Sequence, residues 1–305
     1  MPVVSDPIDV PMVLPDLLGS GAPRPFRLCL NTSTLRGHGL SLPELVEIAA
    51  SAGYEAVEPW IDELDRHEAE GGSLRDVGQR LRDHGLAIES AIGFFDWIGD
   101  SPEARASGLV EARRSMEVLS RLGGTKIAAP PFGVHEAGSP RVDLLAAAER
   151  YRTLLELGEE IGVTPLVEVW GFSANLSRLG EAALVAAETG RSDAAILGDI
   201  YHLHKGGSPI ESLGLLGPRA IGLFHVNDFP GKPPAELVDA DRVFPGDGVA
   251  PLDRTLLLLR DIGYRGALSL ELFNTEYWRR DPLEVARTGR EKLEAAVERA
   301  LAWPA

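Results

Sequence analysis

The chain has 305 residues, 44% of them hydrophobic and 25% charged, which is the composition of an ordinary globular protein with enough length for one large core. Its 46 acidic and 30 basic residues give a net charge of −16, which repels phosphate backbones and anionic membranes, so we expect no nucleic-acid or membrane partner. A single cysteine, Cys29, excludes an internal disulfide and indicates a buried thiol in a cytoplasmic protein.

The first predicted segment, residues 1–25, is rich in proline and has no basic cluster, so it is neither a helix nor a signal peptide. We interpret it as an extended arm that lies over the domain or over a partner subunit of a homo-oligomer. Disorder of this segment is the alternative. Residues 26–305 are then expected to form one domain.

The next feature is a glycine after a helical stretch, followed at once by an apolar strand. It occurs seven times, in SAGYEAVEPW, DHGLAIESAI, RLGGTKIAAP, EIGVTPLVEVW, ETGRSDAAILGD, LLGPRAIGLFHV and DIGYRGALSLELF. Glycine just past a helix end supplies the left-handed conformation that closes the helix. The runs that follow are short and almost continuously apolar, as strands covered on both faces must be. With the first strand, FRLCLN, the count is eight.

The segments between these strands have helical periodicity. In SLPELVEIAASAG, Ser41 and Glu44 form a predicted capping box, and apolar residues recur on one face. Eight strands alternating with helices predict an α/β fold, a single (β/α)8 TIM barrel. An open dinucleotide-binding sheet is the alternative, but LCLNTSTLRGHG after the first strand has no G-x-G-x-x-G turn, so we expect no nucleotide cofactor.

Polar residues stand at the predicted strand ends, where the active sites of such barrels lie. The first two strands end in Asn31 and Glu58, and the next two in neutral residues. A lone acidic or histidine residue there is often a member of a core ion pair. Three carboxylates directed at one axis, however, would repel each other unless a cation neutralised them. Such residues end the last four strands in succession: Glu168, Asp199, His225 and Glu271.

We therefore predict that these four residues bind one divalent metal ion. An oxygen-rich set with one imidazole suits Mn²⁺, our first choice, and also Mg²⁺, Co²⁺ or, less selectively, Zn²⁺. A structural zinc site would need more thiolates than the single Cys29. Asn227 and Asp228, which follow His225, are assigned to the next loop.

The chain resembles the xylose isomerase-like barrel superfamily of sugar isomerases and epimerases, and within it is most similar to the keto-inositol (inosose) isomerases. The resemblance is carried by the quartet Glu168, Asp199, His225 and Glu271, and by GDIYHLHKGGSPIESL, DADRVFPGDGVAPLD and LSLELFNTEYW. It covers residues 26–300 and is most specific in the C-terminal half. The segment VWGFSAN after Glu168 departs from the ketose 3-epimerases, which have a further acidic residue there.

The resemblance implies a metal-dependent isomerase or epimerase that acts on a ketose or an inosose through α-proton abstraction and a metal-stabilised enediolate. It gives Glu168 and Glu271 the roles of base and acid, in an order that the sequence leaves open. His202 matches the substrate-contacting histidine of the family. His204 is taken as a second substrate contact, with a surface-loop position as the alternative.

Arg242, in DADRVFPGDG, is predicted to contact the substrate, because a bidentate donor on a Pro/Gly-rich loop suits a polyol or carbonyl oxygen. Pairing with Asp239 or Asp241 is the alternative. Three tryptophans, Trp60, Trp97 and Trp170, are placed at the mouth of the barrel, as a surface for a sugar ring or as simple lid packing.

The segment after the last strand, ELFNTEYWRRDP, lacks the glycines of a phosphate-binding turn, and acidic residues surround the loop of Arg242. We therefore expect a neutral, unphosphorylated polyol-ketone or sugar as the small-molecule substrate.

Three other functions are weighed against this one. A lyase on the same site, either an inosose dehydratase or a 3-keto-glycoside-cleaving enzyme, would begin with the same proton abstraction. An abasic-site endonuclease would need further ligands for three zinc ions and a basic surface, which the charge disfavours. A metal-binding protein without chemistry is the last alternative.

Overall fold

The computed structural model describes residues 25–302, so the predicted arm lies outside the described residues apart from Pro25. Within this range strands and helices alternate. The strands are β1 (Arg27–Asn31), β2 (Ala56–Glu58), β3 (Ala87–Ile88), β4 (Lys126–Ala129), β5 (Thr164–Glu168), β6 (Ile196–Asp199), β7 (Ile221–Val226) and β8 (Ala267–Leu270). The helices are α1 (Leu42–Ala52), α2 (Ile61–Ala69), α3 (Leu74–Asp83), α4 (Pro102–Leu122), α5 (Leu144–Ile161), α6 (Leu179–Glu188), α7 (Ile200–Lys205), α8 (Leu252–Asp261) and α9 (Pro282–Leu301).

The strands form a closed barrel. Every described strand pair is parallel, and the order of neighbours runs β3-β2-β1-β8-β7-β6-β5-β4. The two ends of this order meet just after β3, where Ala91 N donates to Lys126 O at 3.2 Å and Ala128 N donates to Ala91 O at 2.9 Å. The predicted (β/α)8 TIM barrel is confirmed.

The local signals in the sequence explain where the elements begin and end. Six of the seven predicted helix-ending glycines, at positions 53, 85, 123, 162, 190 and 263, have φ between 67° and 97°. Gly217 does not, because the segment before it is a 3₁₀ turn, Ile210–Leu215, rather than an α-helix. Helix α1 begins at the predicted capping box, with Ser41 N donating to Glu44 Oε2 at 2.8 Å.

Two clusters make up most of the core of the described residues. A large apolar cluster fills the space between the strands and the helices, and a smaller one fills the barrel interior. The interior contains small side chains such as Cys29, Ala56 and Ala128, and Trp60 and Phe94 pack against it. Cys29 is buried as predicted, and burial raises the pKa of its thiol well above the ordinary value, which keeps it protonated.

None of the described helices is long and apolar enough to cross a membrane.

Candidate functional site

The four residues predicted to bind a metal ion lie at the carboxyl ends of adjacent strands. Glu168 and Asp199 end β5 and β6, His225 lies near the end of β7, and Glu271 follows β8. The strand register pairs Asp199 with His225 and His225 with Ser269, which holds their side chains at similar levels. Each of the four is at most 4% exposed.

Three of the four converge closely. One donor atom from each of Asp199, His225 and Glu271 lies within 4.8 Å of the others. His225 Nδ1 is 3.2 Å from Glu271 Oε2 and 3.8 Å from Asp199 Oδ2. Glu168 lies outside this triad but is close enough for the charges of Glu271 and Asp199 to act on it. We call these four residues the acidic cluster.

Glu168 is a buried carboxylate whose two oxygens are not both satisfied by hydrogen bonds. Its Oε2 has no hydrogen-bond partner within the described part of the chain. Burial, and then the charges of Glu271 and Asp199, raise the pKa of Glu168 to about 8, although the nearby His225 opposes the rise. A cation at this position would remove the cost of ionising it.

Asp199 is oriented by the start of helix α7. Its Oδ1 accepts hydrogen bonds from Tyr201 N at 2.6 Å, from His202 N at 3.3 Å and from Asn227 Nδ2 at 3.3 Å. The carboxylate therefore caps the helix with one oxygen, and its Oδ2 faces the cluster.

Arg242 lies deeper than a loop residue is expected to lie, because it is only 1% exposed. Its Nη1 donates to Asp199 Oδ2 at 2.8 Å and to Glu271 Oε2 at 2.6 Å, and its Nη2 donates to Asp239 Oδ1 at 2.8 Å. The pairing with Asp239 that was weighed as an alternative is present, together with two buried ion pairs. The guanidinium is thus a positive charge inside the acidic cluster, and its contact with a substrate stays a prediction.

The loop that carries Arg242 is held in place by Asp228, the second polar residue after His225. The carboxylate of Asp228 accepts hydrogen bonds from Phe229 N, Gly246 N and Ala250 N at 2.8–3.0 Å. Its backbone forms an antiparallel bridge with Val243. Asp228 therefore holds this loop in place.

His202 and His204 lie on helix α7 but have different surroundings. His202 is buried, its Nε2 lies 3.1 Å from Arg242 Nη2, and its Nδ1 has no hydrogen-bond partner among the described residues. Burial lowers the pKa of His202 to about 4, so the ring is neutral and can donate or accept a hydrogen bond. The ring of His204 instead stacks on Phe229 with centroids 4.6 Å apart. His202 therefore lies in the candidate site beside Arg242, whereas the ring of His204 packs on Phe229.

Glu58 is a site residue that the sequence reasoning did not select. It ends β2 and is fully buried. Its Oε2 accepts from His225 Nε2 at 2.9 Å, from Ser269 Oγ at 2.7 Å and from Asn31 Nδ2 at 2.9 Å. Burial would raise the pKa of Glu58, but His225 and these hydrogen bonds outweigh it and lower the pKa. Its position at the end of a strand could have indicated Glu58 as a site residue. The sequence does not show, however, that Glu58 contacts His225 across the barrel.

The contact between Glu58 and His225 fixes which ring nitrogen faces the cluster. With Nε2 bound to a carboxylate, Nδ1 points toward Glu271 and Asp199, an arrangement that raises the affinity of a histidine for a metal ion.

We expect Glu58→Gln to weaken Mn²⁺ binding about 10- to 100-fold, because the amide holds the imidazole less firmly. Isothermal titration of the metal-free protein measures this. Ser269→Ala is the matched control, since it removes one partner of Glu58 and keeps the carboxylate on His225. Equal Mn²⁺ affinity in wild type and Glu58→Gln would contradict the orienting role.

Two observations indicate that the acidic cluster is suited to hold a divalent cation. Three carboxylates and one imidazole offer oxygen and nitrogen donors of the kind that Mn²⁺ and Zn²⁺ accept. Two of the donor atoms, Glu168 Oε2 and His225 Nδ1, are buried and make no hydrogen bond of good geometry within residues 25–302, although Glu271 Oε2 lies 3.2 Å from His225 Nδ1. Buried polar atoms without partners are costly, and a cation would satisfy both.

The tryptophans predicted at the mouth divide into two groups. Trp60 and Trp170 are half-buried beyond the strand ends. Trp97 is 1% exposed, donates to Pro130 O at 2.6 Å and packs on Tyr151. The ring of Trp97 is thus part of the apolar core, which agrees with the packing alternative rather than with a surface for a sugar ring.

Comparisons with known proteins agree with this architecture. The family model described as xylose isomerase-like TIM barrel matches residues 46–296. The inosose isomerase of Bacillus velezensis is 28% identical over 279 residues, which are 90% of this chain and 98% of that protein. A crystal structure of the IolI protein with a bound zinc atom superposes with a TM-score of 0.83 at 24% identity, covering 91% of this chain and 100% of the other.

A relative with a different activity also matches. The 3-dehydroshikimate dehydratase of Pseudomonas aeruginosa is 30% identical over 243 residues, which are 77% of this chain but only 36% of that longer protein.

Proposed function

The chain belongs to the xylose isomerase-like TIM barrel family, and from this we propose that it is a metal-dependent isomerase or epimerase of a neutral inosose or ketose. The observation that supports the proposal most is the convergence of Asp199, His225 and Glu271 beside the buried Glu168. Relatives named inosose isomerase support the same class of reaction.

In this proposal Glu168, Asp199, His225 and Glu271 hold one divalent cation. When bound, such a cation acts as a Lewis acid on a substrate carbonyl and lowers the pKa of the adjacent C–H group. Mn²⁺ is our proposed ion, and reconstitution of the metal-free protein with Mn²⁺, Mg²⁺, Co²⁺ and Zn²⁺ in one activity assay will rank the candidates.

Glu168 and Glu271 carry the proton. Glu168 Oε2 accepts no hydrogen bond from the described residues, so this oxygen is able to take a proton from carbon. Glu271 is held more firmly, by Asn31 Nδ2 at 3.3 Å and by Arg242 Nη1 at 2.6 Å. This difference supports Glu168 as the base, which takes the α-proton, and Glu271 as the acid, which enters the reaction protonated and gives its own proton to the neighbouring carbon. The two carboxyl groups then end the turnover with their protonation states exchanged.

His202 and Arg242 position the substrate. The free Nδ1 of the neutral His202 can bond a hydroxyl group. Arg242 holds Asp199 and Glu271 in place and has an Nε without a partner in the described range. Burial of these groups strengthens their hydrogen bonds to a polyol by excluding water.

The charges around Arg242 support an unphosphorylated substrate. Its guanidinium already faces three carboxylates, those of Asp199, Glu271 and Asp239. The two arginines on the segment after β8 are also engaged, since Arg279 pairs with Glu276 and Arg280 with Glu284. A phosphate would therefore meet net negative charge at this side of the mouth.

A proton-exchange screen in D₂O tests the function directly. The Mn²⁺-loaded protein is incubated with inososes, ketoses and 3-keto-glucosides, and deuterium in the α-position is followed by NMR. We expect metal-dependent exchange with at least one of them, abolished by removal of the metal. No exchange with any of the three classes would reject the proposal.

A lyase on the same site is the second candidate, favoured by the match to a 3-dehydroshikimate dehydratase. Both reactions begin with removal of an α-proton, and elimination then expels a β-substituent. Mass spectrometry of the products separates the two, because an isomerase conserves the mass of the substrate and a dehydratase removes water.

We expect Arg242→Ala to lower kcat/KM by an amount equivalent to about 1–3 kcal/mol, the usual value of a charged hydrogen-bond donor. The measurement uses a matched pair of free and phosphorylated substrates, with the exposed Arg279→Ala as the control cation variant. If the phosphorylated member had the higher kcat/KM, and Arg242→Ala removed that preference, the site would be a phosphosugar site.

A further inference from the structure

Six aromatic side chains form a continuous arc at the carboxyl ends of the strands. Successive ring centroids are 5.9 Å (Phe273–Trp60), 5.5 Å (Trp60–Phe94), 5.9 Å (Phe94–Trp170) and 5.1 Å (Trp170–Phe172) apart. Phe132 joins the arc beside Phe94, at 5.5 Å. We call these six residues the aromatic arc.

The aromatic arc lies over the barrel and touches the site at both ends. Trp60 and Phe94 pack on the cluster that fills the barrel interior. At one end, Trp60 Nε1 donates to Asn31 Oδ1 at 3.1 Å, and Asn31 in turn contacts Glu271. At the other, the ring of Phe172 is 5.5 Å from that of His202. The arc therefore borders the site, so the part of a substrate that does not react can lie beside these rings.

The rings of the arc are only partly buried by the fold. Five of them are half-buried and Phe172 is 43% exposed, whereas Phe95 and Trp97, in the neighbouring segment, are 2% and 1% exposed. Contiguous exposed aromatic surface is a mark of a binding site, because leaving it in water carries a cost.

The aromatic surface of the arc is larger and more apolar than the binding of an unsubstituted polyol requires. One or two rings suffice to cover the C–H face of a six-membered ring, and the hydroxyl groups of an inosose need hydrogen-bond partners rather than carbon. The six rings themselves carry only two polar groups, the indole nitrogens. Polar side chains also pack on them, among them His135 against Phe132, Trp170 and Phe172, and Arg36 over Trp60.

We propose that the aromatic arc is a subsite for an aromatic or similarly flat apolar substituent, so that the substrate is a neutral keto-sugar or keto-cyclitol bearing such a group. This inference rests on the proposed function for the reacting end of the substrate. The arc itself binds the part of the molecule that does not react.

The test uses phenyl and methyl 3-keto-glucosides, which differ only in the substituent. We expect metal-dependent α-proton exchange with kcat/KM at least about tenfold higher for the phenyl compound, which is the effect of burying one ring. Phe172→Ala should bring the ratio of the two values close to one, and Leu215→Ala, at an 87% exposed position outside the arc, should leave the ratio unchanged. Equal kcat/KM values in the wild type would overturn the inference and leave the proposed function intact.

A binding measurement keeps the inference independent of turnover. Phenyl and methyl β-glucosides lack the ketone, and their binding is followed by the fluorescence of Trp60 and Trp170. Tighter binding of the phenyl compound, weakened by Phe172→Ala, is expected even if no exchange occurs. Absence of any preference for the phenyl compound would overturn the subsite, whereas lack of exchange alone would reject only the proposed reaction.

Discussion

Glu271→Gln is expected to lower turnover by about 10²-fold or more while most of the metal stays bound. The amide keeps an oxygen that can coordinate a cation and can accept the hydrogen bond from Arg242 Nη1, which is now 2.6 Å from the carboxylate. It cannot take or return a proton at catalytic pH. Turnover and Mn²⁺ affinity are therefore measured on the same preparation, the second by isothermal titration.

The matched control for this variant is Glu276→Gln, which changes an exposed carboxylate on the same segment. Glu276→Gln should change neither the turnover nor the Mn²⁺ affinity. Near-normal turnover in Glu271→Gln would assign both proton transfers to Glu168. Loss of metal together with turnover would show that Glu271 acts mainly as a ligand.

Asp199→Ala should destabilise the metal-free protein by about 3–5 kcal/mol, because it leaves the buried charge of Arg242 without one of its partners. The same substitution removes the cap of helix α7, where Asp199 Oδ1 accepts from Tyr201 N at 2.6 Å. The free energy of unfolding is measured by urea denaturation of the metal-free protein, so that loss of the cation does not contribute.

Two control variants separate the contributions. Asp199→Asn keeps a capping oxygen and loses only the charge, so we expect a smaller destabilisation. Asp239→Ala removes the other, solvent-exposed partner of Arg242 and should cost less than about 1 kcal/mol. If Asp239→Ala were as destabilising as Asp199→Ala, the buried pair would not be the main source of stability.

The sequence was sufficient to predict the fold and to place the candidate site at the carboxyl ends of the strands. Glycines after helices and short apolar runs are local signals, and seven repeats of them, together with the first strand, specify a barrel whose strand ends meet on one face. Glu168, Asp199, His225 and Glu271 could be selected because each interrupts an apolar run at such an end.

The contacts across the barrel could not be predicted in the same way. Glu58 ends β2 and reaches His225, a residue 167 positions away, only because the barrel closes. Arg242 is in a polar, glycine-rich loop, and such a composition is typical of exposed loops. The guanidinium of Arg242 is nevertheless buried. The burial of Trp97 could not be predicted either, because the sequence does not show that its ring packs against Tyr151 of helix α5.

The hydrogen bonds of Asp228 also bear on how molecules enter and leave. They tie residues 243–250 to the end of β7, and Asn274 Nδ2 adds a hydrogen bond to Arg242 O at 3.0 Å. This side of the entrance is thus fixed to the barrel and is a poor candidate for a moving lid. We expect substrate and product to pass along the opposite side, over Phe94 and Trp170, so that the rate of product release depends on the bulk of those two rings and hardly on the loop of Arg242.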